Sequence, residues 1–370
     1  MTDLSGKKKN YSLSYIRVIA CFAVVILHTA NASEILFKDS ITIRQIACSM
    51  GTVYGMMFAV PCFLMVTGAL LLDPKKEISN TRLIGHYVPK ALEPLIVLGF
   101  FFEIFDDVAD GKGITINTLK NAVVDIFTGR SWSHLWYLYM LLGIYLLLPF
   151  YRIIAINSSN FLFKYLLAMY VIFQSVLQLT KIWGINCAFI LQVSGIYVFY
   201  LFAGYAISKD ILKIPRWLSV LLFLVGIAGT ASLTAYRYAS DFERLEVVLG
   251  SYASPFVIMA AVGFFAFIYR DKSKEPQKSK GREAVLEFFD DNSFGVYLLH
   301  MVFVRIILRY QHVNPYEYGM PFFIILVLGI FLISTMVTYL VRIPVKKFRR
   351  LMRDIYWRKA ECDQKRLKAE

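Results

Sequence analysis

Long stretches almost free of charge recur from one end of the chain to the other, and they leave few architectures open. Each is about 20 residues long, the length an α-helix needs to cross the hydrocarbon core of a bilayer. Ten such segments can be marked, over residues 15–37, 45–72, 84–105, 134–152, 163–181, 185–207, 216–236, 247–269, 293–311 and 320–342. A water-soluble protein with so many helices would need most of them to lack a water-facing side. Composition agrees: 58% of the 370 residues are hydrophobic and 18% charged, against roughly half and a quarter in a soluble domain. The predicted fold class is therefore all-α, a polytopic transmembrane helical bundle of about ten helices. The membrane domain takes residues 1–342, and a basic tail follows at 343–370.

The first segment is a retained helix rather than a cleaved leader. It follows Lys7, Lys8 and Lys9, but its apolar run from Ile16 to Phe37 is long for a signal peptide. It also carries Arg17 and His28, for which a leader has no use. Cys21, Cys48, Cys62, Cys187 and Cys362 form no CxxC pair, and the five histidines lie far apart. This pattern implies neither a disulfide framework nor a metal site.

Charge alternates between the connections. Lys75, Lys76 and Arg82 follow the second segment, Arg152 and Lys164 the fourth, and Lys209, Lys213 and Arg216 the sixth. Arg270, Lys272, Lys274, Lys278, Lys280 and Arg282 follow the eighth, and Lys346, Lys347, Arg349 and Arg350 the tenth. The opposite set carries Glu103, Asp106, Asp107, Asp110, Asp241 and Glu243. The positive-inside rule then puts both termini in the cytoplasm, as an even number of spans requires. Orientation accounts for most of the +14 formal charge, so no nucleic-acid partner is implied. The basic loops face anionic lipid and any anionic ligand on that side. Only residues 106–133 form a connection long enough for structure of its own, with a short interfacial helix expected from Ile116 to Phe127. A basic helix from Val345 to Lys368, lying along the membrane surface, is expected in the tail.

Ionisable groups inside a span are costly, so each one asks for a partner or a job. Arg17 and His28 are eleven residues apart, which places them on one helix face at different depths. A guanidinium suits an oxyanion such as a phosphate, and an imidazole suits proton transfer. The structural alternatives are a snorkelling arginine and a histidine bonded to a backbone carbonyl. Arg82, His86 and Lys90 stand at four-residue spacing at the start of the third segment. They suit a CoA or nucleotide phosphate, or else ordinary positive-inside anchoring, while Glu93 is three residues from Lys90 and can pair with it. His134, Trp136 and Tyr137 open the fourth segment, as an interfacial belt or as a surface that stacks on a sugar. Tyr297 and His300 fall about two turns into the ninth segment, where a structural hydrogen bond competes with a contact to substrate. Arg305 is a further charge in that segment. Pro61 and Gly68 are expected to loosen the second segment.

Four blocks of sequence, in order, resemble the membrane acyltransferase-3 family. Ser14-Tyr15-Ile16-Arg17-Val18-Ile19-Ala20 followed by Val24-Val25-Ile26-Leu27-His28 looks like its first-helix signature. Val60-Pro61-Cys62-Phe63-Leu64-Met65-Val66-Thr67-Gly68 resembles its second helix, with Thr67 where serine is usual. His134-Leu135-Trp136-Tyr137-Leu138-Tyr139 and Leu146-Leu147-Leu148-Pro149-Phe150 are similar to its His-Leu-Trp-Phe helix. Ser293-Phe294-Gly295-Val296-Tyr297-Leu298-Leu299-His300 is similar to its Ser-x-Gly-Ile-Tyr-Leu-Ile-His helix. The family often has an acidic residue where Ser14 stands and arginine where Lys90 stands.

The resemblance implies a multi-pass protein of the cell membrane that moves an acyl group, usually acetyl. The donor would be cytosolic acyl-CoA, acetyl-CoA in the usual case, used as a co-substrate with no permanently bound cofactor. The acceptor would be a hydroxyl of a cell-surface polysaccharide or lipid-linked glycan of the cell envelope. His28 would be the catalytic histidine, Arg17 its cationic companion, and Arg82 and Lys90 acyl-CoA contacts. His134, Trp136, Tyr137, Tyr297 and His300 would serve the acceptor or the scaffold. The competing reading is a transporter or flippase of an envelope precursor, with the buried charges lining its path. Against it, the two halves of the chain show no repeat.

Overall fold

Backbone polar groups in hydrocarbon have no water to bond, so apolar runs close their hydrogen bonds within helices. The structure, a computed structural model, describes residues 10–76, 78–189, 195–270 and 280–367. Lys7, Lys8, Lys9, Lys272, Lys274, Lys278 and Lys368 lie outside the described residues. Helices and their connections account for the described residues, with no strand among them.

Helix α1 (Tyr11–Phe37) starts at Asn10, whose side chain accepts from the amide of Leu13. Helix α2 (Ile43–Met56) starts with a capping box between Thr42 and Gln45. It gives way at residues 57–58 to α3 (Ala59–Leu71). Pro61 explains the break, because its ring clashes with the carbonyl four residues earlier. A single turn, α4 (Asn80–Arg82), and a π-helical turn over Leu83–Tyr87 lead into α5 (Val88–Ala109). Helix α6 (Ile116–Thr128) is the short helix expected in the long connection, stopped by Gly129 in the left-handed conformation. Then come α7 (Trp136–Asn157) and α8 (Asn160–Val171), which continues through a π turn (Ile172–Val176) and a 3-10 stretch (Leu177–Trp183). After these follow α9 (Ile196–Ser208), α10 (Arg216–Ser240), the single turn α11 (Glu246–Leu249) and α12 (Pro255–Ile268). Helix α13 (Lys280–Arg305) runs on as a π turn to Tyr310, and α14 (Pro315–Leu367) closes the described chain, interrupted at Gly319.

Among the described residues, seven helical stretches are long and apolar enough to cross a membrane: Tyr11–Ser40, Ile43–Leu71, Ser133–Asn157, Asn160–Trp183, Arg216–Ser240, Lys280–Tyr310 and Pro315–Lys347. Helices α9 and α12 are apolar but shorter. Among the described residues, the expected sixth segment, 185–207, is helical from Ile196, and the expected eighth, 247–269, holds the end of α11 and, after a break, α12. Gly184 and Gly195 precede α9, Gly250 precedes α12 and Pro255 opens it, turn and helix-start residues that hydropathy alone overlooks. The ninth segment, expected from residue 293, begins as a helix at Lys280. The backbone is helical across residue 342 into the tail.

Hydrogen bonds identify the two ends of the bundle. At one end, here the terminal end, Asn10 Nδ2 donates to the Arg270 carbonyl at 3.1 Å and Arg342 pairs with Asp291 at 3.0 Å. Arg152 binds the carbonyls of Leu71, Asp73 and Lys76 there, and Lys209 pairs with Asp73 at 2.7 Å. At the far end, Arg305 pairs with Asp106, Arg237 with Glu246 at 2.7 Å, and Tyr316 donates to Ser49 at 2.7 Å.

Helix α1 is the hub, packing on α2, α3, α12, α13 and α14. Behind it, α3 and α9 approach backbone to backbone. A Cβ on Gly68 would fall 1.8 Å from the Leu201 carbonyl oxygen, and one on Gly204 would fall 2.0 Å from that of Met65. Gly68 therefore tightens a helix contact, whereas the sequence suggested a loosened helix.

Candidate active site

Helices α1 and α13 run parallel and are joined by polar rungs. Nearest the terminal end, Arg17 Nε and Nη2 donate to the two carboxylate oxygens of Asp290 at 2.6 and 2.7 Å. Ser14 Oγ donates to the same carboxylate at 2.7 Å, and Asp290 is buried. Next, Cys21 Sγ donates to the Ser293 carbonyl at 3.3 Å. Deepest, His28 Nδ1 meets His300 Nε2 at 2.9 Å. The register 17/290, 21/293 and 28/300 follows from equal helical rise on both sides, and the outer rungs are about 16 Å apart.

Because α13 begins at Lys280, His300 lies some five to six turns into its helix rather than two. That depth brings it level with His28. A third imidazole joins them from the 3-10 turn Ser133–Leu135 that opens α7. Ring centroids are 5.0 Å apart for His28 and His300, 5.7 Å for His134 and His300, and 6.2 Å for His28 and His134. His134 and His300 are 1% and 0% exposed, whereas His28 is only half-buried. His28 is thus the member of the cluster that a substrate can reach.

The hydrogen bonds determine which nitrogens carry protons. His300 Nδ1 lies 3.0 Å from the Val296 carbonyl, which only accepts, so Nδ1 bears the hydrogen and Nε2 the lone pair. That lone pair can only accept from His28, so His28 carries its hydrogen on Nδ1 and leaves Nε2 bare. His134 Nε2 likewise donates to the Leu298 carbonyl at 3.3 Å, which leaves its Nδ1 a buried lone pair without a partner. As neutral imidazoles the three rings leave one basic nitrogen, His28 Nε2, on the half-buried member.

Aromatic residues wall the cluster. Tyr297 donates its hydroxyl to the His134 carbonyl, and Tyr137 packs on Tyr297 at 5.3 Å. Trp136 meets Tyr197 at 5.5 Å and Tyr252 at 5.4 Å. Towards the far end, Trp132 stacks on Phe102 at 4.0 Å, lies 3.8 Å from the Arg305 guanidinium, and donates to Asp106 at 2.7 Å.

The structure therefore gathers His28, His134, His300, Tyr137 and Tyr297 into one site. Arg17 belongs to the same α1–α13 interface but is engaged by Asp290, and its Nη1 has no hydrogen-bond partner among the described residues. Arg82, at the end of α4, and Lys90, at the start of α5, are exposed away from this interface, since α5 packs mainly on α6 and α7. There Lys76 and Lys90 both lie over the Tyr87 ring, at 5.7 and 5.3 Å. The π turn over Leu83–Tyr87 alters the four-residue stripe of Arg82, His86 and Lys90, because such a turn takes more residues than an α-turn. Asp290 and Trp132 are additions that the sequence reading did not single out. The run Asp290-Asp291-Asn292 falls just before the expected segment 293–311, although a carboxylate ten residues before His300 nearly matches the eleven-residue offset of Arg17 and His28.

No cluster of His, Cys, Asp and Glu fit to hold a metal occurs among the described residues. A family model described as an acyltransferase domain, acyltransferase-3, matches residues 10–341. No curated protein and no solved structure matches.

Proposed function

Since this chain belongs to the acyltransferase-3 family of membrane acyltransferases, we propose that it transfers an acyl group, acetyl in the simplest case, from acyl-CoA to a hydroxyl of a cell-envelope glycan. The observation that carries this reading is the bare Nε2 of His28, held in that tautomer by His300. In the reaction, the acceptor oxygen attacks the thioester carbonyl while His28 Nε2 takes the hydroxyl proton. The C–O bond forms, the C–S bond breaks, and the departing thiolate receives the proton as CoA-SH. General-base help of this kind is worth on the order of 10²–10⁴-fold. An acyl-histidine relay would use the same nitrogen as nucleophile.

The donor approaches from the terminal end, which carries the basic loops. Arg82, Lys76 and Lys90 offer cations there to the phosphates of CoA, and Arg17 retains its Nη1 edge for one. The rise of about 16 Å between Arg17 and His28 suits an extended pantetheine arm whose thioester ends at His28. The protein works from the cell membrane, with both termini cytoplasmic, and needs no bound cofactor beyond its acyl-CoA co-substrate.

The test compares wild-type and His28→Ala cells by mass spectrometry of envelope glycans, alongside CoA release by the purified proteins. The expected result is a wild-type acyl mass on the glycan that disappears in the variant, with membrane insertion unchanged. Acylation at the wild-type level in His28→Ala would sink the assignment.

A further inference from the structure

We infer that the far end of the bundle holds a binding site for a second, non-reacting sugar residue of the acceptor, one bearing an acidic group. This rests on the acyltransferase reading above and adds the substrate feature it selects. The site is a cavity of about 180 Å³ between the end of α8 and the segment joining α11 to α12. Gln174, Ser175, Gln178, Lys181, Ser251 and Ser254 supply its polar lining, and none of its lining residues is acidic. The three hydroxyls and the Gln178 Oε1 offer donors and acceptors side by side, as a polyol requires, while Gln178 Nε2 donates to the Phe173 and Phe189 carbonyls. The ammonium of Lys181 adds a preference for a carboxylate or phosphate on that sugar.

Ser175 is the independent sign that something binds. Many serines and threonines inside these helices return their hydroxyls to the carbonyl four residues earlier, as Thr29, Ser33, Thr230 and Thr234 do, although Thr338 of α14 has no partner. Ser175 does not. It sits in the π turn Ile172–Val176, is 2% exposed, and its Oγ has no hydrogen-bond partner. Such π turns within α-helices concentrate at functional sites, and an orphaned buried hydroxyl is destabilising unless a ligand or water satisfies it.

The cavity is also tied to the reaction centre. Tyr252, between Ser251 and Ala253 of its wall, packs against Trp136, and the Tyr200 hydroxyl holds the Tyr252 carbonyl at 2.6 Å. Trp136 is two residues from His134. One sugar in the cavity and the next over the partly exposed Trp136, Tyr197 and Tyr252 rings would lead the glycan towards His28.

The test uses oligosaccharides released from the envelopes of cells lacking the protein, separated into acidic and neutral fractions. Binding to the purified full chain in nanodiscs is measured for wild type, Ser175→Ala and Lys181→Met, together with CoA release in the absence of glycan. Wild type should bind the acidic fraction. Each variant should weaken that binding about tenfold, equivalent to about 1.4 kcal/mol, with glycan-independent CoA release unchanged. Equal binding by wild type and variants, binding confined to the neutral fraction, or no binding of either fraction would overturn the site. Binding of the acidic fraction that depends on Ser175, in a protein that transfers no acyl group, would instead refute the acyltransferase chemistry and keep the site.

Discussion

At the scale of single residues, what sets this centre apart is that His28, the proposed base, is oriented by another imidazole. A carboxylate behind His28 would stabilise the imidazolium strongly. His300 gives less electrostatic help, but it holds the ring angle and tautomer through a 2.9 Å contact, with its own Nδ1 anchored to Val296. His300→Gln retains an acceptor near the Nε2 position, while His300→Leu removes it. The leucine variant should lose on the order of 10²-fold in kcat, the cost of a misplaced reacting group, and glutamine should recover most of that loss. The KM for acyl-CoA should be the same in both. Steady-state CoA release decides it: a leucine variant with wild-type kcat, or one altered only in KM, would remove His300 from its positioning role. The Arg17–Asp290 pair is a different kind of contact. Asp290 is 4% exposed and Arg17 25%, so removing either partner strands a charge that lipid cannot solvate.

At the scale of elements, the fold depends on two kinds of helix contact, and they were unequally legible. The shared face of Arg17 and His28 follows from residue spacing alone, and so do the apolar bodies of the helices. The partner of Arg17 was hidden because α13 runs from Lys280 through Glu283, Glu287 and Asp290 before its apolar part begins. Hydropathy marks where a helix is greasy, not where it starts. For the same reason the glycine-and-proline turns before α9 and α12 were read as membrane span. The α3–α9 contact was invisible in the sequence, since Gly68 has the same chemistry whether it loosens a helix or admits a neighbour. Gly68→Ala and Gly204→Ala each push a Cβ to 2.0 Å or less from a facing carbonyl oxygen. Overpacking of this kind costs about 1–3 kcal/mol or more, so both variants should melt at lower temperature in detergent. Gly143 on α7 has nothing within 4 Å of its Cβ position. Gly143→Ala should therefore be neutral or stabilising, by up to about 1 kcal/mol. Equal melting temperatures for all three variants would mean that α3 and α9 are not held this closely.

At the scale of the whole molecule, the arrangement implies a direction. His28 lies seventeen residues along α1 from Tyr11 and nine from Phe37, about 26 and 14 Å by helical rise. It is therefore closer to the far end, and a donor from the terminal end must reach most of the way across to meet it. The charges favour that route. At the far end, Arg305 and Arg309 are paired with Asp106 and Asp110, and Arg237 with Glu246. Arg82 at the end of α4 and Lys90 at the start of α5 are exposed, just beyond the terminal-end Arg152 anchor. A cationic face raises the local concentration of an anion such as CoA, whereas at the far end these three arginines are already paired and Lys181 is assigned to the acceptor. The chain should therefore act vectorially. In sealed vesicles with the terminal end outward and glycan trapped inside, added acyl-CoA should be consumed and the glycan acylated. In vesicles of the opposite orientation, with glycan and acyl-CoA both added outside, neither should occur until detergent opens the membrane. CoA release and glycan mass read out both arms, and raised salt should slow the productive one by screening the basic face. Equal turnover in the two orientations would mean that donor and acceptor enter from the same side, and that the rungs joining α1 to α13 hold a structure together without guiding a substrate.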